Sequence, residues 1–317
     1  MTIQQLYDIG IQMGIKADPR EEIGVANYLK RQKKIYEELS GKKKQTFDKE
    51  SLVNPYSDSR ILYGNPNKEV KKILAGIDGN ASEVLLVDRL NQKGAKIDLL
   101  LVHHPEGHAL ASLHEVMDLQ IEMYEKSGVP ANIAYSLMQE RISEVQRRIS
   151  PVNHTQSTDA ARLLDIPLIS LHTVWDNLGN NFMNKYVENR KFDIVGDLYD
   201  YLLEIPEYKE AIKAKAGPQI VSGSEKSRAG KVAVFFTGGT NPSKEMYIEW
   251  ARAGVGTVID MHIPEEALKE LRKLHVNVIN CGHMASDSIG ANIYLDVIEK
   301  KGIEIVAGVG LIRVKRI

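Results

Sequence analysis

With 317 residues, 43% of them hydrophobic and 26% charged, the chain is long enough for one large or two ordinary domains, each with its own core. A formal net charge of -1 supplies no field that attracts nucleic acid or an anionic membrane, and no apolar run approaches the roughly 20 residues that cross a bilayer. The single cysteine, Cys281, excludes an internal disulfide; with an N-terminus that lacks an apolar signal core, it leads us to expect a cytoplasmic protein.

Two helical patterns, over 3–13 and 22–39, open the chain. The basic turn Gly41-Lys42-Lys43-Lys44 reads as a solvated helix end rather than a phosphate site. Residues 47–62 are rich in Ser, Asn, Pro and Asp and read as a loop. No chemistry is visible here. Residues 1–66 are expected to form a helical extension that packs on the main fold or on a neighbouring subunit, leaving 67–317 as the principal α/β domain.

From Val70 the pattern becomes regular. A strand over 73–77 is closed by Asp78-Gly79-Asn80, a helix follows over 81–92, and a second strand over 97–102 ends in His103-His104-Pro105. This is a right-handed βαβ unit. Its second strand is apolar without alternation, as in a parallel sheet covered on both faces. The C-terminal edge of such a sheet is where ligand sites form. Residues 113–150 read as a helical insertion with Met138, Ile142, Val145 and Ile149 on one face, interrupted by a short candidate strand over 129–135. His108, His114 and His154 read as surface or capping residues.

A strand over 168–171 ends in His172, and Asp176 follows four positions later. If a helix begins near Thr173, both side chains lie on one side of its first turn. Thr173 and Asp176 could equally serve as its cap, and the motif alone leaves both readings open. Residues 184–230 are helix-rich and end in a polar loop over 222–230. A strand over 231–236 leads into Thr237-Gly238-Gly239-Thr240-Asn241-Pro242-Ser243 and a helix over 244–253. That turn offers backbone N–H groups to an anion. Without the spacing of a Walker or Rossmann loop, it reads first as a plain strand-to-helix connection. A strand over 255–260 has Met261 and His262 at its edge, and a helix follows over 265–274. The strand over 276–281 runs into Gly282-His283, with Asp287 again four residues beyond the histidine. A helix over 291–300 and a strand over 303–306 complete the fold, read as α/β with mostly parallel sheets flanked by helices.

His-His, His-x3-Asp and His-x3-Asp at the ends of three buried strands argue that those ends converge. Imidazole and carboxylate without thiolate is the donor set of catalytic zinc, iron, manganese, cobalt or nickel. Five or six donors exceed the needs of one ion. His103 and His104 project differently and each can face its own cation, with a carboxylate bridging a pair about 3.5–4 Å apart. Only Asp176 and Asp287 offset two divalent charges, so a bridging hydroxide would reduce the surplus and act as nucleophile. Hydrolysis of a small substrate is the natural chemistry. The competing class is a scaffold that stores, delivers or senses metal without doing chemistry. Nucleic-acid binding lacks the basic stripe it needs.

Gly76-Ile77-Asp78-Gly79, His103-His104-Pro105, His172-Thr173-x-x-Asp176 and Gly282-His283-x-x-x-Asp287 together resemble the Nif-three-like family, the dinuclear-metal homologues labelled GTP cyclohydrolase I type two. The resemblance runs from about Val70 to the C-terminus. It implies a two-subdomain α/β architecture, a homohexamer, two divalent metal ions per subunit, and a nucleotide-like or phosphorylated substrate. It makes His103, His104, Asp176, His283 and Asp287 the metal ligands, with His172 orienting Asp176 or a ligand imidazole. The chain departs from the family in carrying Asp at 287 where Glu is usual and in the longer segment over 113–150. The stretch up to residue 60 has no counterpart in the family pattern, and near Asp260 and His262 the family's Gly-Asp turn is only partly recognisable.

Overall fold

The computed structural model describes residues 1–316. Two sheets, each with a parallel core and one antiparallel edge strand, carry the chain. The first comprises β1 (Ser59–Tyr63), β2 (Lys72–Gly76), β3 (Leu99–Val102), β4 (Leu168–Leu171) and β9 (Glu304–Ala307), in the order β1-β4-β3-β2-β9. Within it only the β1–β4 pair is antiparallel. The second comprises β5 (Gln219–Ser222), β6 (Lys231–Phe235), β7 (Val255–Asp260) and β8 (Asn277–Asn280), in the order β5-β8-β7-β6, with β5 antiparallel to β8.

Both sheets are covered on both faces, which explains their unalternating apolar strands. In the first, Ile73, Ala75, Leu99 and Leu101 face one core while Leu74, Leu100 and Val102 face another. In the second, Ala233 and Phe235 point outward and Val234 and Phe236 inward, the two-residue period of a strand. Helices Ala81–Gln92 and Gln156–Leu163 cover the outer face of the first sheet. Helices Ala131–Ile149, Lys244–Arg252 and Glu265–Lys273 cover the outer face of the second. Between the sheets lie two long helices, His172–Glu188 and His283–Lys300.

These two inner helices touch backbone to backbone. A Cβ placed on Gly290 would overlap the carbonyl oxygen of Trp175 and lie 3.0 Å from the nitrogen of Gly179. No residue but glycine fits this crossing.

Several elements differ from expectation, each for a local reason. Residues 59–62, expected as the end of a loop, belong with Tyr63 to β1; the strand is a short edge whose signal is masked by the polar residues before it. The N-terminal helix Ile3–Ala17, expected to pack on the main fold or on a neighbouring subunit, does not differ: it buries Ile3, Leu6 and Tyr7 in the core of the first sheet and packs on helix His172–Glu188. Residues 129–135 are not a strand: Pro130 stands at the N-cap and the helix Ala131–Ile149 begins after it. β5 is a second short edge, inside a stretch whose composition reads as helix and loop. The last long helix begins at His283, not near 291; Ala285 to Asn292 are all buried, so the amphipathic period that marks a surface helix is missing.

Candidate metal centre

β3 ends at Val102, and the next two residues are pinned to the end of β2. His103 N–H donates to the carbonyls of Gly76 and Ile77, both at 3.1 Å, and His104 N–H to Ile77 at 2.8 Å. His172 follows β4 directly and is the first residue of its helix. On the other sheet, β8 passes through Cys281 and Gly282 before His283 opens its helix. Gly282 has φ +87°, and a Cβ there would overlap the carbonyl oxygen of Ala216, so this turn demands glycine. Each inner helix thus carries His, then Asp four residues on, then the crossing Gly three further: His172, Asp176, Gly179 and His283, Asp287, Gly290. Glycine contact at the third position brings the first two positions of both helices to one point between the sheets.

Two groups of donor atoms meet there. His103, His172 and Asp176 form one, and His103, His104 and Asp287 the other, with ligand atoms within 4.8 Å of one another in each. His103 Nε2 is 3.2 Å from Asp176 Oδ1 and 3.6 Å from Asp287 Oδ1. Asp287 Oδ2 is 3.6 Å from His104 Nε2 and 3.3 Å from His283 Nε2. Asp287 therefore turns one oxygen to His103, which both groups share, and the other to His104 and His283.

His103 has no exposed surface and Asp287 is 1% exposed. Yet both ring nitrogens of His103 and both carboxylate oxygens of Asp287 lack a hydrogen-bond partner among the described residues. A buried polar atom left unpaired is costly, and four converging ones suit a cation. The donor set, imidazole and carboxylate, fits divalent metal.

Outer carboxylates fix two of the rings. Asp78 Oδ1 lies 2.7 Å from His104 Nδ1 and Asp58 Oδ2 lies 2.8 Å from His172 Nδ1, so both rings turn Nε2 inward, the arrangement of carboxylate–histidine–metal sites. The Thr173 hydroxyl also donates to Asp58, at 2.7 Å. His103 stacks parallel on the Trp175 ring at 5.7 Å.

Burial raises the cost of a charge on Asp287, but His103, His104 and His283 outweigh it and hold its carboxyl down to about 2. Burial likewise opposes protonation of His172, yet Asp176 and the bond to Asp58 lift it to about 9. For His283 burial prevails over the attraction of Asp287, and with the neighbouring imidazoles it pushes the ring down to about 4.

The cluster lines a partly open pocket of about 40 Å³, whose far wall is made by Gly239, Thr240, Asn241, Asp260 and His262 at the second sheet's strand ends. Asp260 is buried and accepts from the Tyr247 hydroxyl at 2.8 Å; burial raises its pKa. The His262 ring meets His283 edge to face at 4.4 Å.

His103, His104, Asp176, His283 and Asp287 all come together here. His172, expected to orient Asp176 or a ligand imidazole, lies within one of the donor groups, with Nε2 3.9 Å from Asp176 Oδ2 and its other nitrogen held by Asp58. His108, His114 and His154 join neither donor group. Asp58 is the residue that sequence reasoning misses, because it sits in the polar stretch before a short edge strand, with no motif around it.

No protein-family model and no curated protein matches the sequence. Among solved structures, a NIF3 superfamily protein from Sphaerobacter thermophilus is 26% identical, with a TM-score of 0.76 over 98% of this chain and 99% of that one. That coverage takes in most of the N-terminal residues, which the family pattern leaves without a counterpart. Reduced HcgD from Methanocaldococcus jannaschii is 15% identical, with a TM-score of 0.52 over 87% of this chain and 96% of that one, and shares the fold. The two-sheet α/β fold, the strand-end histidines and a likeness along nearly the whole chain agree: the protein is similar in fold and extent to a NIF3 superfamily protein.

Proposed function

We propose that the protein is a dinuclear metal-dependent hydrolase of a small nucleotide-like or phosphorylated substrate, acting in the cytoplasm as a homo-oligomer, a hexamer by family resemblance. The observation that carries this reading is the set of unpaired atoms on His103, which belongs to both donor groups, and on Asp287, which belongs to one. His103, His172 and Asp176 would hold one cation. His104, His283 and Asp287 would hold the other, with His103 common to the two donor groups. Divalent ions of the zinc, iron, manganese, cobalt or nickel type acidify water and polarise an ester or phosphoryl oxygen when bound to such a set.

The protein's own contribution is orientation and charge. Asp58 and Asp78 fix which nitrogen of His172 and His104 faces inward. Asp176 and Asp287 supply the negative charge. The inner-helix crossing at Gly179 and Gly290 holds the two carboxylates in register, and burial excludes bulk water, which strengthens each electrostatic contact.

A metal-storing or regulatory scaffold is the second reading, favoured by the small size of the pocket beside the cluster, about 40 Å³. The two separate by incubating protein loaded with each metal with nucleotides and phosphoesters, beside His103→Ala. Turnover by the wild type that disappears in the variant supports the hydrolase. A metal-replete wild type that turns over nothing in the panel supports the scaffold. Wild-type protein that binds no metal refutes both.

A further inference from the structure

The turn over 237–241 follows β6 and forms part of the wall opposite the histidines. Gly238 and Gly239 are both left-handed, with φ +103° and +84°. Neither has room for a side chain, since a Cβ would lie 2.5 Å from Gln120 Cγ and 2.9 Å from Val116 Cγ2 respectively. The turn is thus pressed against the helical insertion, and one side chain there organises it. Gln120 has no exposed surface, and its Nε2 donates to the carbonyls of Gly238 at 2.5 Å and Thr240 at 2.8 Å.

Peptide geometry supplies the next step. There is no cis peptide bond among the described residues, and in a trans peptide the N–H points opposite to the carbonyl of the same unit. With the carbonyls of Gly238 and Thr240 drawn to Gln120, the N–H groups of Gly239 and Asn241 point away from it. Gly239 and Asn241 line the cavity, and among the described residues no hydrogen bond within the protein uses either N–H. The start of the turn is fixed from the other side: Phe236 N–H donates to Asn180 at 3.2 Å and the Thr237 hydroxyl to Asn177 at 2.6 Å. Both asparagines lie on the helix that carries Asp176. The two unpaired N–H groups therefore share one cavity with the unpaired atoms of His103 and Asp287.

We propose that the 237–241 turn is the substrate's oxyanion cradle: Gly239 and Asn241 N–H bind a phosphoryl or carboxylate oxygen of a ligand seated between the turn and the histidine cluster, and Gln120 is the positioning residue. Successive backbone N–H groups in left-handed turns bind anions in this way. The proposal deepens the hydrolase reading and rests on it for the identity of the opposite wall, while the N–H pair itself is present whether or not a metal is bound.

The test is a titration of zinc-loaded protein with inorganic phosphate, followed by the amide resonance of Gly239. Gly239 is the only glycine that follows a glycine, so selective labelling identifies it. We expect a saturable downfield shift of that amide. Gln120→Leu should weaken phosphate about tenfold, through loss of the two bonds that aim the turn, while elemental analysis finds its zinc unchanged. Phosphate that binds without moving Gly239, or that binds equally well to Gln120→Leu, overturns the cradle and leaves the cations as the sole anion site. Absence of phosphate binding also overturns it. If Gln120→Leu fails to fold, the wild-type titration decides alone. If the wild type holds no zinc but Gly239 still responds, the metal reading fails and the cradle stands.

Discussion

Asp58 accepts a hydrogen bond from His172 Nδ1 at 2.8 Å from a position with no exposed surface. Asp58→Ala removes the only carboxylate on that nitrogen among the described residues and leaves the ring free to turn. Loss of such an outer carboxylate costs about 10- to 100-fold in metal affinity, and breaking a buried ion pair costs about 3 kcal/mol of stability. Metal titration and urea unfolding of the variant read the two effects. Unchanged metal affinity in a folded variant would remove Asp58 from the site.

The same pair gives the metal-stripped protein a pH dependence. His172 is raised from 6.5 to about 9 in the folded state, so its protonation stabilises the fold fully below about 6.5 and that stability is lost as pH rises through about 9. The full shift corresponds to about 3 kcal/mol. Urea midpoints of metal-stripped protein should fall over that window, and His172→Gln should flatten the curve. Metal loading should flatten it too, because the ion displaces the proton.

Asp287 turns Oδ1 to His103, the residue common to both donor groups, and Oδ2 to His104. Asp287→Asn should therefore reduce bound metal by more than half, whereas a change at a residue that serves one ion alone should spare the other. Elemental analysis of the variant beside His283→Ala checks this ordering. Full metal content in Asp287→Asn would exclude it as a ligand.

Gly290→Ala drives a methyl group into the Trp175 carbonyl oxygen. The contact is with backbone, so the helices must separate. Overpacking of this kind costs about 3 kcal/mol, and separation also pulls Asp287 from Asp176. The variant should lose both unfolding free energy and metal affinity. Loss of stability with metal affinity intact would show that the crossing does not set the site.

Cys281 is buried just beyond β8, and burial, reinforced by Asp260 against a lowering bond from Tyr208, pushes its thiol up to about 12. It should resist a disulfide reagent at neutral pH in native protein and react at once on unfolding. Rapid reaction of folded protein would contradict its packing.

What can be read from the sequence follows from how each feature is encoded. His103, His104, His172 and His283 end apolar runs that only a doubly covered sheet explains, so their convergence is legible in the chain itself. The i, i+4 acids Asp176 and Asp287 share their histidines' helices and come with them. Asp58 does not, because it reaches His172 across the sheet from a segment whose polar composition looks like any loop. β1 and β5 escape because short antiparallel edges carry little periodic signal. The start of the helix at His283 escapes for the opposite reason, since burial on all sides leaves no polar face to mark it. The crossing glycines Gly179 and Gly290 are ordinary residues in the sequence and acquire meaning only when the two helices meet.

The cluster draws on residues from Asp58 to Asp287, divided between two sheets that contact each other through the inner helices. Neither sheet can complete it alone. A bound ion would therefore act as a proofreader of assembly: chains whose halves have docked correctly retain it, and chains that are nicked, swapped or half-folded release it, so metal content reports the integrity of the entire molecule.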